Sequence, residues 1–132
     1  MFFQKKIADG KNLGARGEQE ARRFLEKKGL QFVAQNYHAQ GGEVDLIFRK
    51  PHSDDYILVE VKTRTNDAFG SGASAITKAK FRKILSAGTA FFLKTRKNHD
   101  VPNFEVHAVI VSFDGSSFFC DYIEGIGFDD FQ

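Results

Sequence analysis

Glu43-Val44-Asp45-Leu46-Ile47-Phe48-Arg49 and Tyr56-Ile57-Leu58-Val59-Glu60-Val61-Lys62-Thr63 decide the fold of this 132-residue chain. Both runs are rich in Val, Ile, Leu and Phe, and the breaker set Pro51-His52-Ser53-Asp54-Asp55 parts them, which predicts two strands joined by a short connection. Side chains alternate with period two along a strand. Glu43, Asp45 and Ile47 are therefore expected on one face of the first strand, and Leu58, Glu60 and Lys62 on one face of the next. Asp45 and Glu60 then fall on adjacent strands of a hairpin, with Lys62 one step beyond Glu60. Their neighbours Val44, Leu46, Val59 and Val61 are apolar, so both strands read as central and covered on each side. A central strand seldom carries ionisable groups without a compensating partner.

Upstream, Leu30 to Tyr37 alternates imperfectly and ends in the turn Gln40-Gly41-Gly42, which makes residues 30–63 a three-stranded meander. Before it, residues 13–28 place Ala21, Phe24 and Leu25 at helical spacing, with Asn12 as the cap and Gly29 as the stop. Glu18 shares a face with Ala21 and Leu25. Gly14 and Gly17 lower helix propensity but let the backbone approach something closely, so Glu18 is expected to turn inward. Downstream, Gly70-Ser71-Gly72-Ala73-Ser74 reads as flexible, and from Thr77 to about Lys94 the positions Ala79, Phe81, Ile84, Leu85, Ala87 and Phe91 recur at helical spacing. This is a second amphipathic helix with a basic outer face. Phe104 to Phe113 and Phe118 to Ile123 follow as strands around Asp114-Gly115-Ser116. The order αβββαββ predicts an α/β fold with a central mixed sheet flanked by helices. Residues 1–132 are expected to form one domain, with a core over about 13–123 and an acidic, Phe-containing tail at 124–132.

Composition narrows the classes of function. A chain with 42% apolar and 27% charged residues is an ordinary globule, neither disordered nor collagen-like. The single cysteine, Cys120, excludes an internal disulfide, a zinc ribbon and an iron–sulfur cluster. Met1 to Asp9 lacks the apolar run of a secretory signal, no stretch approaches the roughly 18 apolar residues of a membrane span, and one free thiol suits the reducing cytosol. A soluble, cytoplasmic protein with no membrane partner is the expectation. Charge is segregated: residues 1–100 hold 19 Lys/Arg against 11 Asp/Glu, and residues 101–132 hold six acids and no Lys or Arg. Between Asp67 and Asp100 there is no acid, while Lys78, Lys80, Arg82, Lys83, Lys94, Arg96 and Lys97 fall in that window. Such a concentration suits a polyanion such as nucleic acid; a solvated helix face is the alternative.

Asp45 and Glu60 offer oxygen ligands, which with backbone carbonyls and waters suit Mg²⁺ or Mn²⁺ rather than zinc. Phosphodiester hydrolysis needs a cation to polarise the phosphoryl oxygen and lower the pKa of an attacking water, and something to neutralise the growing charge. Lys62, two residues after Glu60, reaches the same pocket. Glu18 is a candidate third carboxylate near the metal. A buried Asp/Glu–Lys ion network without catalysis is the competing reading.

Helical Glu18, then Gly42-Glu43-Val44-Asp45, then Val59-Glu60-Val61-Lys62 resembles the core of the PD-(D/E)xK nuclease superfamily, which includes Holliday-junction resolvases and restriction endonucleases. More narrowly, Gly14-x-x-Gly17-Glu18, Gly42-Glu43-Val44-Asp45-Leu46-Ile47 and Val59-Glu60-Val61-Lys62-Thr63-Arg64, with Phe69-Gly70 and Lys80 downstream, is similar to the small bacterial YraN-type proteins. The resemblance runs from about Leu13 to Val111. It implies a three-layer, restriction-endonuclease-like core, with Asp45 and Glu60 as metal ligands, Lys62 as the catalytic lysine and Glu18 as the helical acid. It also implies a metal-dependent endonuclease that hydrolyses DNA on branched or repair intermediates. Arg64, Lys78, Lys80, Arg82 and Lys83 are the candidate nucleic-acid contacts. Three departures stand out. Val44 stands where a proline often precedes the acid, Asn103-Phe104-Glu105-Val106-His107 replaces an Arg-Phe-Asp near the fourth strand, and Ile126 to Phe131 has no counterpart.

Other residues carry less. His38, His52, His99 and His107 lack metal-helix spacing and read as surface or ordinary strand residues. Cys120 reads as a small buried hydrophobe, and Gly70-Ser71-Gly72 lacks the Gly-Lys-Ser/Thr ending of a P-loop. Phe128 and Phe131 either pack on a partner or cover the sheet. A homodimer of the kind junction enzymes form stays open, since nothing in the residues shows a two-fold interface. Against the enzyme stands a non-catalytic nucleic-acid-binding or interaction module on the same fold. The presence of Glu18, Asp45, Glu60 and Lys62 together favours the enzyme, since a scaffold could lose any one of them.

Overall fold

The structure, a computed structural model, describes residues 10–65 and 76–131, with the backbone alone for 10–12. Met1 to Asp9, Phe69-Gly70 and the segment Gly70–Ser74 lie outside the described residues. The elements are α1 (Gly10–Lys27), β1 (Gln31–Ala39), β2 (Gly42–Arg49), β3 (Tyr56–Thr65), α2 (Lys78–Thr95), β4 (Phe104–Phe113), β5 (Phe118–Ile126) and a closing 3-10 turn (Phe128–Phe131). This is the αβββαββ order that the apolar patterning predicts. The strands form one sheet in the order β1-β2-β3-β4-β5. Neighbours are antiparallel except β3 and β4, which run parallel from Tyr56↔Phe104 to Thr65↔Phe113. A parallel pair needs a crossover, and α2 supplies it.

Each face of the sheet buries one helix, so the molecule is built in three layers. On one side Phe81, Ile84, Ala87 and Phe92 of α2 close over Val44, Ile47, Leu58, Val106, Ala108 and Ile110. On the other, Ala21 and Leu25 of α1, both fully buried, close over Leu46, Phe48, Ile57, Val59, Val109 and Val111. β2 and β3 feed both layers, as strands covered on two faces must.

The helix ends follow local chemistry. Gly29 takes φ +96°, the Gly29 N–H reaches the Glu26 carbonyl at 2.9 Å, and the Leu30 N–H reaches the Leu25 carbonyl at 3.3 Å, which closes α1 in a Schellman arrangement. At its start α1 begins at Gly10, so Asn12 lies inside the helix rather than capping it. Thr77 caps α2, its Oγ1 accepting the Lys80 N–H at 3.1 Å.

Glycine lets two elements approach closely. A Cβ on Gly17 would overlap the Thr63 hydroxyl, so α1 lies directly on β3 there. Among the described residues Gly14 has nothing within 4 Å, so of the two glycines Gly17 is the one seen to make a close approach. In the β1–β2 turn, a Cβ on Gly42 would stand 2.5 Å from the Lys83 carbonyl oxygen, which seats the hairpin tip against α2.

The acidic, Phe-containing tail expected over 124–132 starts within β5. β5 continues through Glu124 to Ile126, and the 3-10 turn folds back so that the rings of Phe128 and Phe131 lie 4.9 and 5.4 Å from Phe81. Phe131 packs against the α2 layer, while Phe128 stays half exposed. The two aromatics bury ring surface that an acidic tail alone could not. His107, fully buried on β4, is satisfied on both sides: Nδ1 meets the Tyr122 hydroxyl at 2.5 Å and Nε2 meets a Glu105 carboxylate oxygen at 2.9 Å. Among the described residues no helix is long and apolar enough to cross a membrane.

Candidate active site

β2 and β3 pair only from Arg49↔Tyr56 to Leu46↔Val59. The next step of that register sets Asp45 against Glu60, and there the ladder stops. Instead of a backbone carbonyl, the Asp45 carboxylate takes the Val61 N–H, Oδ2 standing 2.8 Å from the nitrogen. One side chain thus does a strand's work and holds the two strands apart where the two acids meet.

The strict alternation expected along β2 fails at this point. Val44 and Ile47 both belong to the α2 layer, whereas Leu46 belongs to the α1 layer, so the pleat slips by one residue at Asp45. β1 slips in step: Ala34 and Tyr37 both pack towards α2, and Gln35 and Asn36 are consecutive exposed residues. Asn36 carries φ +50°, a left-handed conformation that Asn tolerates better than most residues. Period two therefore breaks on β2 between Val44 and Leu46, yet it holds along β3, where Leu58 packs in the α2 layer and Val59 and Val61 in the α1 layer.

The electrostatics mark one group. Glu60 is almost fully buried, and its carboxyl is pushed up to about 8, first by burial and then by the charge of Asp45. Asp45 is also raised by burial, while hydrogen bonds from the Val61 N–H and from Glu60 pull it down. Burial and mutual repulsion thus act together against both acids of the pair being ionised at once. Lys62, half-buried on β3, contributes its positive charge to Glu60. Glu18, on α1, is raised by burial and then by Asp45, and a hydrogen bond from the Asn36 side chain opposes both.

Lys80 belongs here as well. Its Nζ lies 3.4 Å from Glu43 Oε1 and 4.0 Å from Glu60 Oε2, and His38 Nδ1 sits 3.0 Å from Glu43 Oε2. Burial pushes the Lys80 ammonium down, but Glu60 and Glu43 outweigh it and its pKa ends up raised. Lys80 thus leaves the outward row in which the sequence places it and turns to the acids. The signal was present, for Lys80 stands one turn before buried Ile84 on the core-facing stripe. Lys78, Arg82 and Lys83 do face solvent, and Arg64 is half-buried at the end of β3.

Asp45 and Glu60 fit a hard cation. Glu60 Oε1 is a buried oxygen with no hydrogen-bond partner among the described residues, and a divalent ion would favour the ionised form of both acids. Among the described residues no group of three or more His, Cys, Asp and Glu side chains is close enough to hold a metal. Glu18 is therefore brought within electrostatic reach of Asp45 without completing a three-acid cage. Cys120 is half-buried with its thiol pushed up by burial, which removes it as a nucleophile.

A three-layer α/β sheet parted by a carboxylate pair, with lysines from β3 and α2 beside it, is the class that fold and site define. Residues 17–111 match the model of the uncharacterised protein family UPF0102. A UPF0102 protein of Legionella pneumophila is 38% identical over 104 residues, 79% of this chain and 84% of its own length. One of Vibrio parahaemolyticus is 36% identical over 100 residues, 75% and 81% respectively, and one of Pelobacter propionicus 32% over 107 residues, 81% and 76%. The chain belongs to the UPF0102 family.

Proposed function

We propose that this protein is a metal-dependent endonuclease that hydrolyses phosphodiester bonds of DNA, on branched or repair intermediates. The observation that carries the reading is the buried Asp45–Glu60 pair at the parting of β2 and β3, both carboxyls raised by burial, with the Glu60 Oε1 atom buried and unpartnered among the described residues. Two acids crowded in this way are costly to a fold unless a cation is to enter. Asp45 and Glu60 hold Mg²⁺ or Mn²⁺, with Glu18 as the adjoining third acid. When bound, the ion polarises a phosphoryl oxygen and acidifies water.

The chain's own groups supply the rest. Lys62, one step along β3 from Glu60, neutralises charge as it builds on the phosphoryl oxygens or holds the attacking water. Lys80 balances the negative charge of the acid pair. Arg64 and the exposed Lys78, Arg82 and Lys83 contact phosphates on either side of the scissile bond.

The test is cleavage of labelled linear, single-stranded and four-way DNA with Mg²⁺ or Mn²⁺, beside an Asp45→Asn control. Lys62→Ala should bind DNA like the natural protein and cleave it about 10²–10³-fold more slowly, the loss expected for one preorganised charge acting in the transition state. Equal losses in binding and cleavage would make Lys62 a general DNA contact. Binding by the natural protein with no cleavage of any substrate would leave a nucleic-acid-binding module in place of the nuclease.

A further inference from the structure

We propose that Glu43 is a positioning residue that holds the Lys80 ammonium beside Glu60, where it meets a phosphoryl oxygen of the bound DNA. The purpose rests on the nuclease reading, but the geometry stands without it.

Backbone packing brings Glu43 to α2. The turn Gln40-Gly41-Gly42 lies so close to that helix that a Cβ on Gly41 would overlap the Ser86 hydroxyl, and one on Gly42 would stand 2.5 Å from the Lys83 carbonyl oxygen. Glycine permits this approach because it has no side chain to push the hairpin away. Glu43 therefore leaves the tip alongside the turn of α2 that carries Lys80 and Lys83.

Both oxygens of the Glu43 carboxylate are then engaged. Oε1 stands 3.4 Å from Lys80 Nζ, and Oε2 stands 3.0 Å from Nδ1 of His38, the residue directly opposite Glu43 in the β1–β2 register. A carboxylate only accepts, so His38 donates through Nδ1. Gripped from the neighbouring strand, the carboxylate keeps its other oxygen on Lys80.

The ammonium thus lies between two acids of different kinds. Glu60, with Oε2 at 4.0 Å, has a side chain only 4% exposed, whereas that of Glu43 is 43% exposed. A cation at Glu60 spends that carboxylate's charge and repels a neighbouring ammonium, so Glu60 alone would lose its hold on Lys80 when the site is loaded. Glu43 lies outside the acid pair and keeps its charge for Lys80. An ion pair this exposed adds little stability, and a lysine stem is flexible, so what Glu43 contributes is direction. His38, Glu43 and Lys80 line an open cavity of about 320 Å³ between the hairpin tip and α2, through which a phosphate reaches the ammonium.

The test uses the full chain and begins without metal. Relaxation of the ¹³C nucleus at the Lys80 Cε methylene should report a restrained side chain in the natural protein, against exposed Lys78 as the free reference, and a freer one in Glu43→Ala. A Lys80 as mobile as Lys78, or one that Glu43→Ala leaves unchanged, overturns the holding. Cleavage kinetics with Mg²⁺ follow, on the linear, single-stranded and four-way DNA substrates. Glu43→Ala should lower kcat about 10-fold, with KM within about twofold and the urea midpoint unchanged, and should cost nothing further in a Lys80→Ala background. A rise in KM alone, a fall in the urea midpoint or the same loss in both backgrounds would give Glu43 a binding or structural role and overturn its action through Lys80. If the methylene responds to Glu43→Ala while the natural protein cleaves no substrate, the hold of Glu43 on Lys80 stands and the nuclease reading falls.

Discussion

Glu60 concentrates the protein's most unusual chemistry in one side chain. Its carboxyl has an ordinary value of 4.5 and stands at about 8 in the fold. A raised acid contributes stability that is complete below its unfolded value and lost as pH rises through the folded one. The metal-free protein should therefore weaken between about pH 4.5 and 8, by on the order of 1 kcal/mol per pH unit from this one proton. Glu60→Gln should flatten that slope, as read from denaturant midpoints across the range. A divalent cation should displace the proton, and calorimetry in buffers of different ionisation enthalpy at pH 7 should show release of about one proton per ion bound. At this scale the site was half legible. Asp45, Glu60 and Lys62 could be singled out because buried strands do not carry charges idly. The break in alternation between Val44 and Leu46 could not, because a slip of the pleat at one residue leaves no trace in an apolar pattern.

The contacts between elements were legible where a glycine had to be a glycine. α1 lies on β3 at Gly17, where Thr63 fills the space that a Cβ would need. Gly17→Ala should destabilise the fold by about 1–3 kcal/mol, the usual penalty of overpacking, and Thr63→Ala should recover much of it. Gly14→Ala meets nothing within 4 Å among the described residues, so it should be neutral or stabilise the helix by up to about 1 kcal/mol. Urea midpoints of the four variants decide the matter, and equal effects at Gly14 and Gly17 would contradict the close approach. Sequence spacing found both helices, and the ends it missed were those set by tertiary contact. β5 outruns its expected end at Ile123, and the following turn is held by Phe128 and Phe131 against Phe81. Lys80 was misplaced for a similar reason: a lysine reads as solvated until the acids opposite it are known.

Over the whole molecule, charge and topology set what the parts can do together. The chain's lysines and arginines all lie in its first hundred residues and the remainder carries only acids, and Lys78, Arg82 and Lys83 stand exposed on α2. If they meet phosphates, Lys78→Ala with Lys83→Ala should flatten the log–log salt dependence of duplex binding by about 1–2, measured by fluorescence anisotropy. An unchanged slope would return them to solvent. The sheet's connectivity reaches into the order in which the molecule assembles. Leu46 and Val59 are 13 residues apart, whereas every β3–β4 pair, such as Tyr56↔Phe104, spans 48. Closing the longer loop carries about 1 kcal/mol more entropy loss. The acid pair is therefore expected to come together on the meander early, as β2 meets β3, with Lys80 arriving only when α2 docks and the parallel ladder closes. Refolding rates should fall with Ile47→Val or Leu58→Ala, while Val109→Ala should chiefly speed unfolding. In that order of assembly, the two acids face one another with Lys62 alone for company until Lys80 has come.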